Sequence, residues 1–232
     1  MNLSDAKVLL TGGSSGIGLE TARQLVQAGA AVVICGRDEA ALAHAAQTTG
    51  AGAIRADVSQ EADVIALVQR AAQQLGGLNV VINNAGFGLH APLPALTLAG
   101  FQQVLATNVL GAFLVGREAA KHFIAQRAGN IINVASTAGQ RGYATGTAYA
   151  ASKFALRGMS ECWRVELRPH NIRVMEVNPS EVITPFLEKV GWPVQHPERK
   201  LQAADVARAI VHLLGMDDRG FVTDITLWAT NP

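Results

Sequence analysis

Val8-Leu9-Leu10-Thr11-Gly12-Gly13-Ser14-Ser15-Gly16-Ile17-Gly18 joins a short apolar run to a glycine-rich turn. A helical pattern of Leu19, Ala22, Leu25 and Val26 follows, before a stop at Gly29. Strand, tight turn and helix start in that order make a phosphate cradle. Glycines let the backbone turn sharply and approach a ligand closely, and the open amides of a first helical turn attract a pyrophosphate. The same string also fits a plain glycine-rich turn between a strand and a helix, so its surroundings decide.

Outward from the cradle, strand and helix keep alternating. Ala31 to Cys35 reads as a second strand, followed by Gly36-Arg37-Asp38. At this place an acid would take the ribose hydroxyls of NAD, and an arginine would accommodate the 2′-phosphate of NADP. Arg37 comes first, and Asp38 is equally suited to cap the next helix, expected over Glu39 to Thr48. The reading favours NADP(H) over NAD(H), against the alternative that Arg37 is a solvated surface charge. Ala53 to Asp57 is expected as the third strand, with Asp57 either bonding an adenine amino group or capping the helix near Glu61. Leu78 to Ile82 is the fourth. It ends in Asn83-Asn84-Ala85-Gly86, which suits a flat ligand or an ordinary turn.

A long helix is expected from Leu98 to Gln126, with Asn108, a mediocre helix former, in its middle. Asn130 to Ala135 is a fifth strand leading to Ser136. Tyr149 and Lys153 lie four apart on a helix through Glu166, so phenol and ammonium share one face. An ammonium held near a phenol is expected to lower its pKa, which makes proton exchange near neutral pH accessible. Arg173 to Val177 and Asp224 to Trp228 read as strands and Ala203 to Leu214 as a helix. The proline- and glycine-bearing stretch about 180–202 reads as a mobile substrate loop or lid. The rhythm predicts an α/β fold: a Rossmann-type doubly wound parallel sheet of about seven strands, with helices on both faces, in one domain over 1–232.

Composition narrows the function classes. The chain has 232 residues, 49% of them apolar, enough for a sizeable core. Lys plus Arg (19) nearly balances Asp plus Glu (18), which makes no electrostatic case for nucleic acid. Charged and glycine-rich segments are expected to break every apolar run before membrane-spanning length. Met1 to Lys7 lacks the layout of a signal peptide. Cys35 and Cys162 are expected as two reduced core thiols, consistent with a cytoplasmic protein. The histidines show no metal-ligand spacing, so no metal is expected.

With these motifs in place, the chain resembles the short-chain dehydrogenase/reductase family over nearly its whole length, nearest to its 3-oxoacyl-thioester reductase-like members. The family's TGxxxGxG is matched by Thr11, Gly12, Gly16 and Gly18, and its NNAG by Asn83 to Gly86. Its catalytic Asn, Ser, Tyr and Lys fall on Asn108, Ser136, Tyr149 and Lys153. The resemblance implies that Gly12, Ser14, Ser15 and Ile17 serve the pyrophosphate and ribose side, and that Arg37 selects NADP. It implies Asp57 and Val58 at the adenine, and Asn84, Ala85 and Gly86 along the cofactor wall. Pro179, Val182 and Thr184 fall on the nicotinamide side, with Ser180 where the family usually has Gly.

The implied activity is hydride transfer between a nicotinamide and a carbonyl or secondary alcohol, possible substrates being a 3-oxoacyl thioester, or else sterols, sugars or small alcohols. Ser136 would bond the substrate oxygen and Tyr149 would donate the proton. Lys153 would tune Tyr149 and bond the nicotinamide ribose, and Asn108 would hold a relay water. A homo-oligomer is implied, as a dimer through the helices around Asn108 and Tyr149 or as a tetramer, although residues 220–232 lack the family's Gly-rich ending. Phe87, His90, Gln140, Arg141, Tyr143 and Trp192 are candidates for shaping the pocket, Arg141 by attracting an acidic or phosphopantetheine-bearing substrate. Outside catalysis, a cofactor-sensing regulator is the competing class.

Overall fold

Strands that are apolar at every position, such as Val8-Leu9-Leu10, are stable only where both faces of a sheet are covered. A computed structural model of the chain, describing residues 1–191 and 194–232, shows that arrangement. Trp192, one of the candidate pocket residues, lies outside the described residues. The chain runs β1 (Lys7–Thr11), α1 (Gly16–Gln27), β2 (Ala31–Gly36), α2 (Glu39–Thr49), β3 (Gly52–Arg55), α3 (Glu61–Leu75) and β4 (Val80–Asn83). It continues through α4 (Leu98–Leu105), α5 (Ala112–Gln126), β5 (Gly129–Val134), α6 (Thr147–Leu167) and β6 (Ile172–Pro179). After β7 (Val182–Ile183), α7 (Pro185–Lys189) and β8 (Leu201–Gln202) come α8 (Ala203–Gly215) and β9 (Asp224–Leu227).

Seven strands form one parallel sheet in the order β3-β2-β1-β4-β5-β6-β9. Leu10, Leu25, Leu42, Ile82 and Ile210 belong to the core that α1, α2 and α8 close over one face. Leu9, Val64, Val115, Phe123 and Val174 belong to the core under α3, α5 and α6 on the other. Chain order reverses between β1 and β4, and a crevice opens above the carboxyl ends of strands at such a switch point. The expected fold is therefore present.

Four details differ from expectation. The helical run Leu98–Gln126 is interrupted by a π-helical turn at Ala106–Gly111 that contains Asn108. By length and composition that run could also cross a membrane, which the reading of broken apolar runs had excluded; in this fold it packs on α3, α6 and the sheet. The stretch read as a loop carries α7 and a small parallel pair, β7 with β8, in register Val182 to Leu201. Cys35 is buried, but Cys162 is exposed on the outer side of α6 rather than a core thiol.

Candidate active site

The turn after β1 is shaped for close approach. Gly12 has φ +67°, and a Cβ there would sit 2.9 Å from the Ala85 Cα. A Cβ at Gly18 would collide with the Gly12 carbonyl oxygen. Both glycines are thus demanded by backbone packing and not only by composition. Thr11 braces the turn against β4. Its Oγ1 accepts from the amides of Asn84 and Ala85 at 3.0 Å each, and the Asn84 side-chain amide donates to the Thr11 and Gly12 carbonyls at 3.0 and 3.1 Å. Asn84 is accordingly part of the scaffold beneath the cradle.

At the end of β2, Arg37 is exposed on the cavity wall, while Oδ1 of Asp38 accepts the Ala41 amide at 3.0 Å and caps α2. Asp57 also lines the cavity, but its Oδ1 takes the Ser59 amide at 3.0 Å and the Ser59 hydroxyl at 2.8 Å. That bond pattern builds the turn before α3, whose N-cap residue is Gln60.

Asn108, 1% exposed, works from behind the wall. Its Oδ1 accepts the Phe87 amide at 3.0 Å, and its Nδ2 donates to the Phe87 carbonyl at 2.9 Å and to Ser152 Oγ at 3.0 Å. The π-helical turn widens the helix at this point, a distortion common at functional sites, and the Asn108 amide within it holds Phe87 of the loop that follows Gly86.

Ser136 follows β5 and caps a short turn, its Oγ accepting the Ala138 amide at 3.1 Å. Tyr149 and Lys153 come from the first turns of α6. The Lys153 ammonium donates to the Val134 carbonyl at 2.9 Å and stands 5.6 Å from the Tyr149 ring centre. Burial lowers the Lys153 pKa to about 8, with the charge of Glu176 working in the opposite direction. Tyr149 departs from expectation. Burial drives its pKa up, and only the hydrogen bond from the Ser136 side works against this, with Tyr143 nearby adding to the rise. Desolvation thus prevails over the lowering expected from the Lys153 ammonium.

One cavity of about 740 Å³ collects these groups. Gly12, Ser14, Ser15, Ile17, Arg37, Asp57 and Val58 line its outer part, and Asn84, Ala85 and Gly86 its floor. Ser136, Tyr149, Lys153, Pro179, Val182 and Thr184 line the inner part. Of the candidate pocket residues, Phe87, His90, Arg141 and Tyr143 line it too, with His90 Nε2 2.7 Å from the Tyr143 hydroxyl. Burial pushes the Tyr143 phenol up to about 12. Gln140 does not line it; its amide donates to Thr226 Oγ1 at 2.9 Å and ties the loop to β9.

Sequence reasoning missed several wall residues, Trp228 and Lys200 among them. Trp228 lies under the Arg141 guanidinium, 5.3 Å from carbon to ring centre, and both face the cavity. Lys200, ion-paired to Glu181 at 2.5 Å, closes the side near β7. Neither has a motif; the tail and the loop reach the site only through tertiary packing. The constellation can bond a substrate oxygen through Ser136 and Tyr149 beside a cradle for a dinucleotide.

Comparison with known proteins agrees with this geometry. Residues 6–193 match the model of the short chain dehydrogenase family. The chain is 34% identical over 238 residues to L-fucose dehydrogenase of Mus musculus, covering 96% of this chain and 86% of that protein. It superposes with a TM-score of 0.90, at 29% identity and 96% coverage of both chains, on the 3-ketoacyl-(acyl-carrier-protein) reductase from Brucella melitensis complexed with NADH. A variant of actinorhodin polyketide ketoreductase with NADPH gives the same TM-score at 28% identity, covering 99% of this chain and 98% of that one. The chain therefore belongs to the short-chain dehydrogenase family, and it is an oxidoreductase acting on CH–OH and C=O groups.

Proposed function

We propose that the protein is an NADP(H)-dependent carbonyl reductase whose first substrate class is a 3-oxoacyl thioester. The observation that carries the cofactor choice is the end of β2. Gly36 offers no carboxylate there, Arg37 faces the cavity, and the Asp38 carboxylate is spent on capping α2. A guanidinium in this position suits a 2′-phosphate by paired, charge-assisted hydrogen bonds. Among similar structures, the ketoreductase carries NADPH and the Brucella reductase NADH, so the cofactor reading rests on the local chemistry of Arg37.

The residues fit a dinucleotide: Gly12 and Gly18 permit the tight turn, since a Cβ at either would strike neighbouring backbone, and the turn with the first residues of α1 lines the cavity. Gly12, Ser14, Ser15 and Ile17 would hold the pyrophosphate side, Asp57 and Val58 the adenine side, and Val182 and Thr184 the nicotinamide side. When bound, the nicotinamide supplies or accepts the hydride. The Ser136 hydroxyl orients the substrate oxygen by a hydrogen bond. Tyr149, kept protonated by its surroundings, gives its phenolic proton to that oxygen as negative charge grows on it. Lys153 then stabilises the phenolate that remains and offers its ammonium to a ribose hydroxyl. Asn108 holds the Phe87 backbone in place; since its side chain is committed there, a relay water would be held by its main-chain carbonyl.

A second substrate reading has its own support. The His90–Tyr143 pair places an imidazole and a hydroxyl on the inner wall, which suits a polyhydroxy substrate, and L-fucose dehydrogenase is among the relatives. We also propose a homodimer. Leu110 and Phe113 on the long helical run and Phe154 and Val165 on α6 are exposed large apolar side chains, and covering them would remove that surface from water.

The test follows NADPH absorbance with an acetoacetyl thioester, a ketone and aldehyde panel, and L-fucose with NADP. NADH and Tyr149→Phe are run alongside. Tyr149-dependent oxidation of NADPH, with the thioester best, is expected, and Tyr149→Phe should lose about 10²-fold or more, the scale of general acid catalysis. Turnover retained within a few-fold in Tyr149→Phe, or a clear preference for NADH, overturns the reading.

A further inference from the structure

Behind the catalytic pair lies a carboxylate that the proposed reaction does not use. Asn83, Asn133 and Glu176 occupy one row across β4, β5 and β6, and Asp224 continues it on β9. Residues in register on parallel strands point to the same face, here the face covered by α6. The row begins as an ordered chain of donors. Asn83 Nδ2 donates to Asn133 Oδ1 at 2.9 Å, Asn133 Nδ2 donates to Ser160 Oγ at 2.9 Å, and Ser160 Oγ donates to the Leu156 carbonyl at 2.8 Å. The Ser160 proton is therefore spent on its own helix.

Glu176 comes next and is 1% exposed. Among the described residues, neither of its carboxylate oxygens has a donor in full hydrogen-bonding geometry; the nearby Ser160 and Asn178 side chains favour its charged form, but against the larger effect of burial, and Asn178 Oδ1 on the same face of β6 has no donor either. Buried acceptors without a donor are costly, and a buried carboxylate more so. A cation is what such a cluster calls for. Lys153, 5% exposed, projects from α6 toward the carbonyl of Val134, the residue after Asn133, and the Glu176 charge acts on it.

We propose that Glu176 is a positioning residue of the catalytic pair: its buried carboxylate is the counter-charge that holds the Lys153 ammonium behind Tyr149. A buried ammonium with only a carbonyl for company is poorly compensated, and a carboxylate on the adjoining strand supplies the missing charge. Other charges face Glu176 as well. Arg157 on α6 favours its ionised form and Asp224 on β9 opposes it, while Arg164 of α6 pairs with Asp224 at 3.3 Å and offsets that repulsion. Burial raises the Glu176 pKa, and the Ser160 and Asn178 side chains work against that rise.

This inference rests on the oxidoreductase reading of Tyr149 and Lys153, so its test has one arm that needs no turnover. In that arm, thermal unfolding at pH 7.5 is compared for the wild type, Glu176→Gln, Lys153→Met and the double variant. Coupled opposite charges predict that the double variant melts higher than the two single changes add up to. Additive changes in Tm overturn the proposal. In the second arm, kcat/KM and NADPH affinity are measured across pH 6–10. Glu176→Gln should move the alkaline limb down by about one pH unit, about a tenfold loss on that limb, while Glu176→Asp keeps it within about half a unit. A Glu176→Gln profile that superimposes on the wild type, even with a changed Tm, reduces Glu176 to a structural residue and overturns the proposal. A wild type that neither binds NADPH nor turns over refutes the proposed function instead, and the unfolding cycle still decides the inference.

Discussion

The Lys153 ammonium stands 5.6 Å from the centre of the Tyr149 ring, yet its hydrogen bond runs to the Val134 carbonyl at the end of β5. The helix brings the two groups to one face, but a strand end fixes the ammonium. Its distance from bulk water, rather than the phenol, sets its proton affinity.

That setting has a pH signature in stability. The folded protein holds the Lys153 proton with a pKa of about 8, against an ordinary lysine value of 10.5. Below about pH 8 the charged, buried lysine penalises folding in full, and the penalty is relieved as pH rises toward 10.5. The Tm of the wild type, taken relative to Lys153→Met, should therefore rise between these two values. A flat difference across that window would show that burial does not depress this lysine.

Gly18→Ala should damage the cradle directly. The added methyl meets the Gly12 carbonyl, a backbone atom that cannot move without opening the turn. Overpacking of this kind costs about 1–3 kcal/mol. A lowered Tm together with loss of measurable NADPH binding by fluorescence titration is expected; unchanged binding would separate the turn from the cofactor.

Thr11→Val keeps the volume and removes the oxygen that accepts both the Asn84 and Ala85 amides. Each amide left unpaired in a buried place costs about 1–3 kcal/mol, so a loss of ~2 kcal/mol or more is expected in urea unfolding. Thr11→Ser should recover most of it, because the hydroxyl is the part that matters.

Arg37→Ala should weaken NADPH binding about 10- to 100-fold and leave NADH within about threefold, as suits the loss of hydrogen bonds to a charged group. Calorimetric titration of both cofactors checks this. An equal loss for both would assign Arg37 to general surface charge.

Much of the site was legible because its pieces are local. Gly12, Gly16 and Gly18 advertise a tight turn, and four-residue spacing alone puts Tyr149 and Lys153 on one helical face. Other assignments were not legible, since competing local and distant partners exist for the same side chain. Asp38 could take a ribose or cap α2, and the Ala41 amide resolved it in favour of the cap. Gln140, expected at the pocket, instead reaches Thr226 far along the chain. Asn108 was visible as an anomaly inside a helix, but its grip on both backbone groups of Phe87 required the π-helical turn.

By itself, then, the amino-acid sequence determined the alternation of strands and helices, the cradle, and the order of Asn108, Ser136, Tyr149 and Lys153. Those follow from periodicity and turn chemistry within a few residues. Only the tertiary structure decided that Trp228 stacks with Arg141 over the cavity, that Lys200 reaches Glu181, and that Glu176 stands in register with Asn133 on the neighbouring strand. The physical reason is that strand register and helix docking set contacts between residues far apart in sequence, and burial then sets their charges.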